Sequence, residues 1–176
     1  PISFEVFADE NEKIIQQAKK IKNWGKQIYV KVPVENSKGK FLGKAIKELN
    51  KEKIKLNITA VYTHKQTLKI LKKIDKKTKV IISIFVGRMA DTGKDPLPQI
   101  IKSINLAKKY KNVEILWASV REPYNYLQAK QLGCHIITAP PNIIEKIENF
   151  GSSFKYLTKN TVKTFLLDSK KSRFRI

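Results

Sequence analysis

Apolar residues recur along this chain in two rhythms that alternate from one end to the other. Short runs rich in β-branched residues, ISFEVFA (2–8), IYVKVPV (28–34), KLNITAVY (55–62), VIISIFV (80–86), VEILWAS (113–119) and HIIT (135–138), predict strands. Between and after them, apolar positions at helical spacing predict helices from about Asp9 to Trp24, over 40–52, from Thr63 to Ile74, from Leu97 to Tyr110, from Pro123 to Gly133, and near 141–149 and 160–170. Local residues punctuate the pattern. Asp9 with Glu12 and Thr63 with Gln66 read as capping boxes, Pro123 suits a first helical turn, and Gly25 and Gly133 suit left-handed helix ends. GRMADTGKDP (87–96) reads as a polar loop, and Trp24 and Trp117 read as core residues.

Strand and helix therefore alternate as six βα units with no hairpin signal, which implies a parallel sheet covered by helices in a single domain over 1–176. An open doubly wound sheet and a (β/α)8 barrel both fit that order. The polar residues decide between them. Side chains alternate faces along a strand, so Ser3 and Glu5, Tyr29 and Lys31, Asn57 and Thr59, and Ser83 all oppose aliphatic faces. Four consecutive strands thus bring polar groups to one place, as a barrel interior does and a flat sheet does not. No GxGxxG or P-loop follows any strand, which argues against a nucleotide site.

Lys31 is the anomaly among these groups, a cation between Val30 and Val32 in a strand. A lysine in water is almost wholly protonated at neutral pH and so a poor nucleophile. Packing between apolar neighbours favours the free amine, which attacks a carbonyl to form a Schiff base. The iminium then stabilises the carbanion left when the bond between the α and β carbons of a ketose breaks. Such chemistry needs a proton shuttle, for which Glu5 on the preceding strand is the candidate, and Asn57, Thr59 and Ser83 are placed to hold hydroxyls and a water.

Composition removes other classes. The net charge of +21 invites a nucleic-acid partner, but lysine supplies nearly all of it and is spread along the whole chain without aromatic interleaving or a recognisable binding motif, so no specific nucleic acid is expected. No apolar run is long enough to span a bilayer, so no membrane role and a cytoplasmic location are expected. The single Cys134 excludes an internal disulfide, and with no ligand cluster at metal spacing no structural zinc is expected. Cys134 and His135 are adjacent in a strand and point to opposite faces, which favours a structural role over a nucleophile pair.

Six blocks in register, SFEVFADE, IYVKVPV, KLNITAVYT, SIFVGRMADTG, WASVRE and QLGCHIITAPP, resemble the transaldolase family, including its fructose-6-phosphate-aldolase-like branch. The resemblance implies a TIM-type barrel and cofactor-free transfer of a dihydroxyacetone unit between sugar phosphates, or aldol cleavage, as in class I aldolases. It implies Lys31 as the Schiff-base lysine, Glu5 as the acid/base acting through water, and Asn57 and Thr59 as a hydrogen-bonding pair. Ser83 would line the site, and Arg88, Ser119 and Arg121 would bind the substrate phosphate, a role that suits the guanidinium fork. Family members carry two earlier βα units, supplying an aspartate and an asparagine, that have no counterpart here, so a partial barrel is expected. The terminal helix near 160–170 is expected to pack on the barrel or on a neighbouring subunit of a homo-oligomer.

Overall fold

The structure, a computed structural model, describes residues 2–172, so Pro1 and the last four residues, Arg173 and Arg175 among them, lie outside it. Six strands, β1 (Ile2–Glu5), β2 (Ile28–Pro33), β3 (Leu56–Val61), β4 (Val80–Ile84), β5 (Val113–Trp117) and β6 (Ile136–Ile137), pair in chain order, all parallel. The sheet is a curled half-barrel. Sequential order requires every crossover to turn the same way, which places the connecting helices on one face and excludes the doubly wound alternative.

That face carries the core. Val30, Val32, Leu56, Ile58, Val80, Ile82, Ile115 and Trp117 are buried against α1 (Asn11–Lys22), α2 (Gly43–Lys51), α3 (His64–Leu71), α5 (Leu97–Ala107), α6 (Tyr124–Gln131) and α7 (Pro141–Glu148). A smaller cluster of Tyr29, Ile81, Leu116 and Ala118, with Phe85 and Ile136 beside it, lies on the concave side. Charged and polar side chains take the rest of that concave face, so the two faces predicted from alternation are real and unequal.

Local signals succeed or fail for identifiable reasons. Thr63 and Gln66 form the reciprocal capping box of α3. Asp9 and Glu12 do not cap α1, because the Asp9 carboxylate instead accepts from the Ser37 amide and hydroxyl, both at 2.7 Å, and Glu12 pairs with Lys44. Asp9 thereby ties the loop after β1 to the loop after β2. Gly133 ends α6 at φ +70°, whereas α1 stops at Asn23 in an ordinary helical conformation and Gly25 is not left-handed. Strand β4 stops at Ile84 and the residues read as polar loop begin with a short helix, α4 (Val86–Ala90).

Two expectations about packing are corrected. Trp117 is buried, but Trp24 is 62% exposed, its ring set edge-on to Phe4, because α1 and β1 form the open side of the sheet. The terminal helix α8 runs from Phe154 to Ser172, longer than predicted, and every one of its residues is exposed, so of the two packings expected for it the one on the barrel is not formed.

Candidate active site

The chemistry-bearing side chains gather on the concave face: Glu5 ends β1, Lys31, Thr59 and Ser83 lie in the C-terminal halves of β2, β3 and β4, and Asn57 stands near the start of β3. Glu5, Lys31 and Asn57 are direct register partners on β1, β2 and β3, so backbone pairing alone lines them up across the concave face. Lys31 Nζ lies 3.8 Å from a Glu5 carboxylate oxygen. The pair is not dry: the Lys31 side chain is 32% and the Glu5 side chain 48% exposed, since β1 is an edge strand of the sheet. The enclosed, water-free setting expected for the amine is therefore not what this chain builds around it.

The residues beside the pair are buried. Asn57 is 4% and Ser83 2% exposed, and the Ser83 hydroxyl donates to the Asn57 carbonyl oxygen at 2.7 Å. The Asn57 amide in turn donates to the Ser3 hydroxyl on β1 at 3.0 Å. Thr59, 2% exposed, has a hydroxyl with no hydrogen-bond partner among the described residues. The next residue, Ala60, takes φ +56°, and the register with β4 shifts between Ile58 and Val61. A non-glycine residue in the left-handed region is strained, and such bulges re-aim side chains at functional sites. Glu5, Lys31, Asn57 and Ser83 thus lie together on the concave face, and Thr59 stands two residues beyond Asn57 on β3.

The remaining candidates surround α4. Arg88 is exposed, with its guanidinium 5.1 Å from the centre of the Phe85 ring, and lines a cleft with Tyr62, Thr63, Thr92 and Lys94. Arg121 lines a different cleft and is held by Asp91: Nε reaches both carboxylate oxygens at 3.0 Å and Nη2 reaches one at 2.7 Å. The hydrogen bonds from Arg121 hold the Asp91 carboxyl below its ordinary range, and Arg88 adds a smaller pull in the same direction. Of the two arginines, Arg121 is the one paired with Asp91, while the Arg88 guanidinium lies against Phe85. Ser119 sits at φ +62°, its carbonyl oxygen laid directly on Gly87, where a Cβ would come within 1.5 Å of it.

Cys134 and His135 serve the sheet. The thiol donates to the Ile115 carbonyl at 3.3 Å and the His135 Nδ1 accepts from the Ile115 amide at 3.1 Å, tying β5 to the start of β6. Burial pushes the Cys134 thiol up, away from the reactive thiolate. Ser3 reads from the sequence only as a polar position on this face, with no role, and Asp91 carries no sequence assignment. For Ser3 the available signal was its place two residues before Glu5 on the same face; for Asp91 it was an acid three residues beyond Arg88 in a segment read as loop.

No described helix is long and apolar enough to cross a membrane. Comparison with known proteins bears on the chemistry. The family model described as Transaldolase/Fructose-6-phosphate aldolase matches residues 1–176. A probable transaldolase of Thermoanaerobacter sp. (strain X514) is 36% identical over 145 residues, which is 82% of this chain and 63% of that protein. One from Herpetosiphon aurantiacus is 31% identical over 169 residues, 96% of this chain and 71% of the relative, and one from Nitrosopumilus maritimus is 31% identical over 172 residues, 97% of this chain and 72% of the relative. The chain thus spans 63–72% of the length of these relatives, and it belongs to the transaldolase/fructose-6-phosphate aldolase family.

Proposed function

We propose that this chain carries the Schiff-base half of a transaldolase site, moving a dihydroxyacetone unit between sugar phosphates without a metal or organic cofactor. The observation that carries the reading is the register row Glu5, Lys31, Asn57, with Ser83 hydrogen-bonded to its end. The Lys31 amine attacks the ketose carbonyl and loses water to give an iminium. The bond between the α and β carbons then breaks, the electron pair is taken into the iminium as an enamine, and the β-hydroxyl proton leaves through water held by Glu5. The released aldehyde departs, the enamine adds to an acceptor aldehyde with return of the proton, and hydrolysis frees the lysine. Glu5, 3.8 Å from the amine, is near enough to serve through one intervening water.

Asn57 and Ser83 are the polar groups available to the hydroxyls of the bound three-carbon unit, and the buried Thr59 hydroxyl is free to hold the water. Arg88, Ser119 and Arg121 take the phosphate, Arg121 offering the guanidinium nitrogen that Asp91 does not engage. The name printed for the relatives, probable transaldolase, supports transfer, and the family description covers cleavage as well. The reading places the protein in the cytoplasm with phosphorylated sugars as its partners.

The test is a product assay on the natural full-length protein. With fructose 6-phosphate and erythrose 4-phosphate it should form a seven-carbon ketose phosphate, and Lys31→Ala should abolish this. Release of glyceraldehyde 3-phosphate at an equal rate without acceptor would assign the cleavage reaction instead. Turnover unaffected by Lys31→Ala would overturn the proposal.

A further inference from the structure

We propose that Ser3 is a positioning residue of this site, acting through Asn57; the proposal rests on the Schiff-base reading of Lys31. Ser3 lies on β1, two residues before Glu5 and on the same face, paired in register with Tyr29 rather than with Asn57. To reach it, the Asn57 side chain crosses over β2, so the Ser83–Asn57–Ser3 chain spans four strands along the concave face that carries Lys31. Its middle is buried and its end at Ser3 is exposed.

The donor and acceptor inventory gives the chain a role. Asn57 has a carbonyl oxygen and two N–H groups. Ser83 spends its one hydrogen on the carbonyl, and Ser3 accepts one of the N–H groups, so the amide is gripped at both ends and cannot swing about its last torsion. What remains for a ligand is the second N–H of Asn57, the lone pairs of Ser83 and the hydrogen of Ser3. A ketose carbon chain bound to Lys31 carries hydroxyls that both give and take hydrogen bonds, and this set offers both kinds beside the register partner of Lys31. Without Ser3 one end of the amide is released. Asn57 then samples orientations in which it no longer meets the hydroxyl, a loss of alignment rather than of chemistry.

The experiment uses the full-length protein, dihydroxyacetone and borohydride, reading the rate of covalent trapping on Lys31 by mass spectrometry, with circular dichroism to confirm folding. Ser3→Ala should trap roughly three- to tenfold more slowly, about the worth of one partly buried hydrogen bond. Ser3→Thr, which keeps the hydroxyl and suits a strand, should return to within about twofold of the natural protein. In an Asn57→Ala background Ser3→Ala should add nothing further. A Ser3→Ala rate equal to the natural protein's, a Ser3→Thr rate as slow as Ser3→Ala, or additive losses with Asn57→Ala would each overturn the role of Ser3 while leaving Lys31 intact. Absence of any Lys31 adduct in the natural protein would overturn the Schiff-base reading, and the Ser3 role with it.

Discussion

Replacing Gly87 by alanine tests how the fold holds the phosphate-side residues in place. A Cβ on Gly87 would lie 1.5 Å from the Ser119 carbonyl oxygen, 2.7 Å from its carbonyl carbon and 3.0 Å from Arg121 Cγ. Ordinary contact is at least about 3.4 Å, so backbone must separate from backbone by roughly 2 Å. The obstacle is main chain at a residue already held at φ +62°, so no side-chain rotation relieves it. Overpacking of this kind costs about 3 kcal/mol, which for a chain of this size lowers Tm by about 6–12 °C. The displaced segment carries Ser119 and Arg121, and a shift of an ångström at a binding group is worth about a hundredfold in rate. Scanning calorimetry and steady-state kinetics should therefore show the Tm loss together with a KM for phosphorylated ketose raised more than tenfold, while trapping of unphosphorylated dihydroxyacetone on Lys31 stays within about threefold. Gly93→Ala is the control: Gly93 sits at φ +74° with nothing within 4 Å, so it should cost about 1 kcal/mol through backbone strain and leave KM unchanged. A Gly87→Ala protein with unaltered Tm and KM would refute the reasoning.

Asp75 anchors the turn before β4, accepting from the Lys53 ammonium at 2.8 Å, the Lys77 amide at 2.8 Å and the Thr78 amide at 2.7 Å. Burial pushes its carboxyl up, but Lys53 and these amides outweigh it and hold the carboxyl well below the ordinary range. A depressed carboxylate stabilises the fold above its unfolded-state value and loses that contribution as pH falls. Asp75→Asn should therefore lower stability by about 2 kcal/mol at pH 7, with the gap to the natural protein narrowing below about pH 4; a gap constant down to pH 2 would contradict this. Asp91→Asn should leave Tm unchanged, because both partners are about half exposed, yet raise the KM for phosphorylated ketose several-fold by releasing Arg121; a lower KM would show that Asp91 competes with the phosphate.

Much of the architecture was legible because period-two alternation and βα order are set by backbone geometry. The aliphatic faces of β2, β3 and β4 are the buried core, and the polar positions opposite them form the concave face proposed as the site. The Thr63–Gln66 capping box was legible because both partners lie within one turn. Asp9 was misread because its competitor, Ser37, is remote in sequence and close only after β1 and β2 pair. Trp24 misled for a related reason: a large aromatic predicts burial, but burial needs a neighbour, and α1 flanks the edge strand. The exposure of Lys31 has the same origin, since a strand's alternation shows which way a lysine faces and not whether the space in front of it is closed. Ser3 and Asp91 act through hydrogen bonds that reach across a strand or between two loops, distances that no local pattern encodes.

The central claim concerns one amine. Incubation of the full-length protein with fructose 6-phosphate followed by borohydride reduction and peptide mass spectrometry should place a reduced three-carbon adduct on Lys31, with none in Lys31→Ala. An adduct on a different lysine, or one that persists when Lys31 is replaced, would contradict the account.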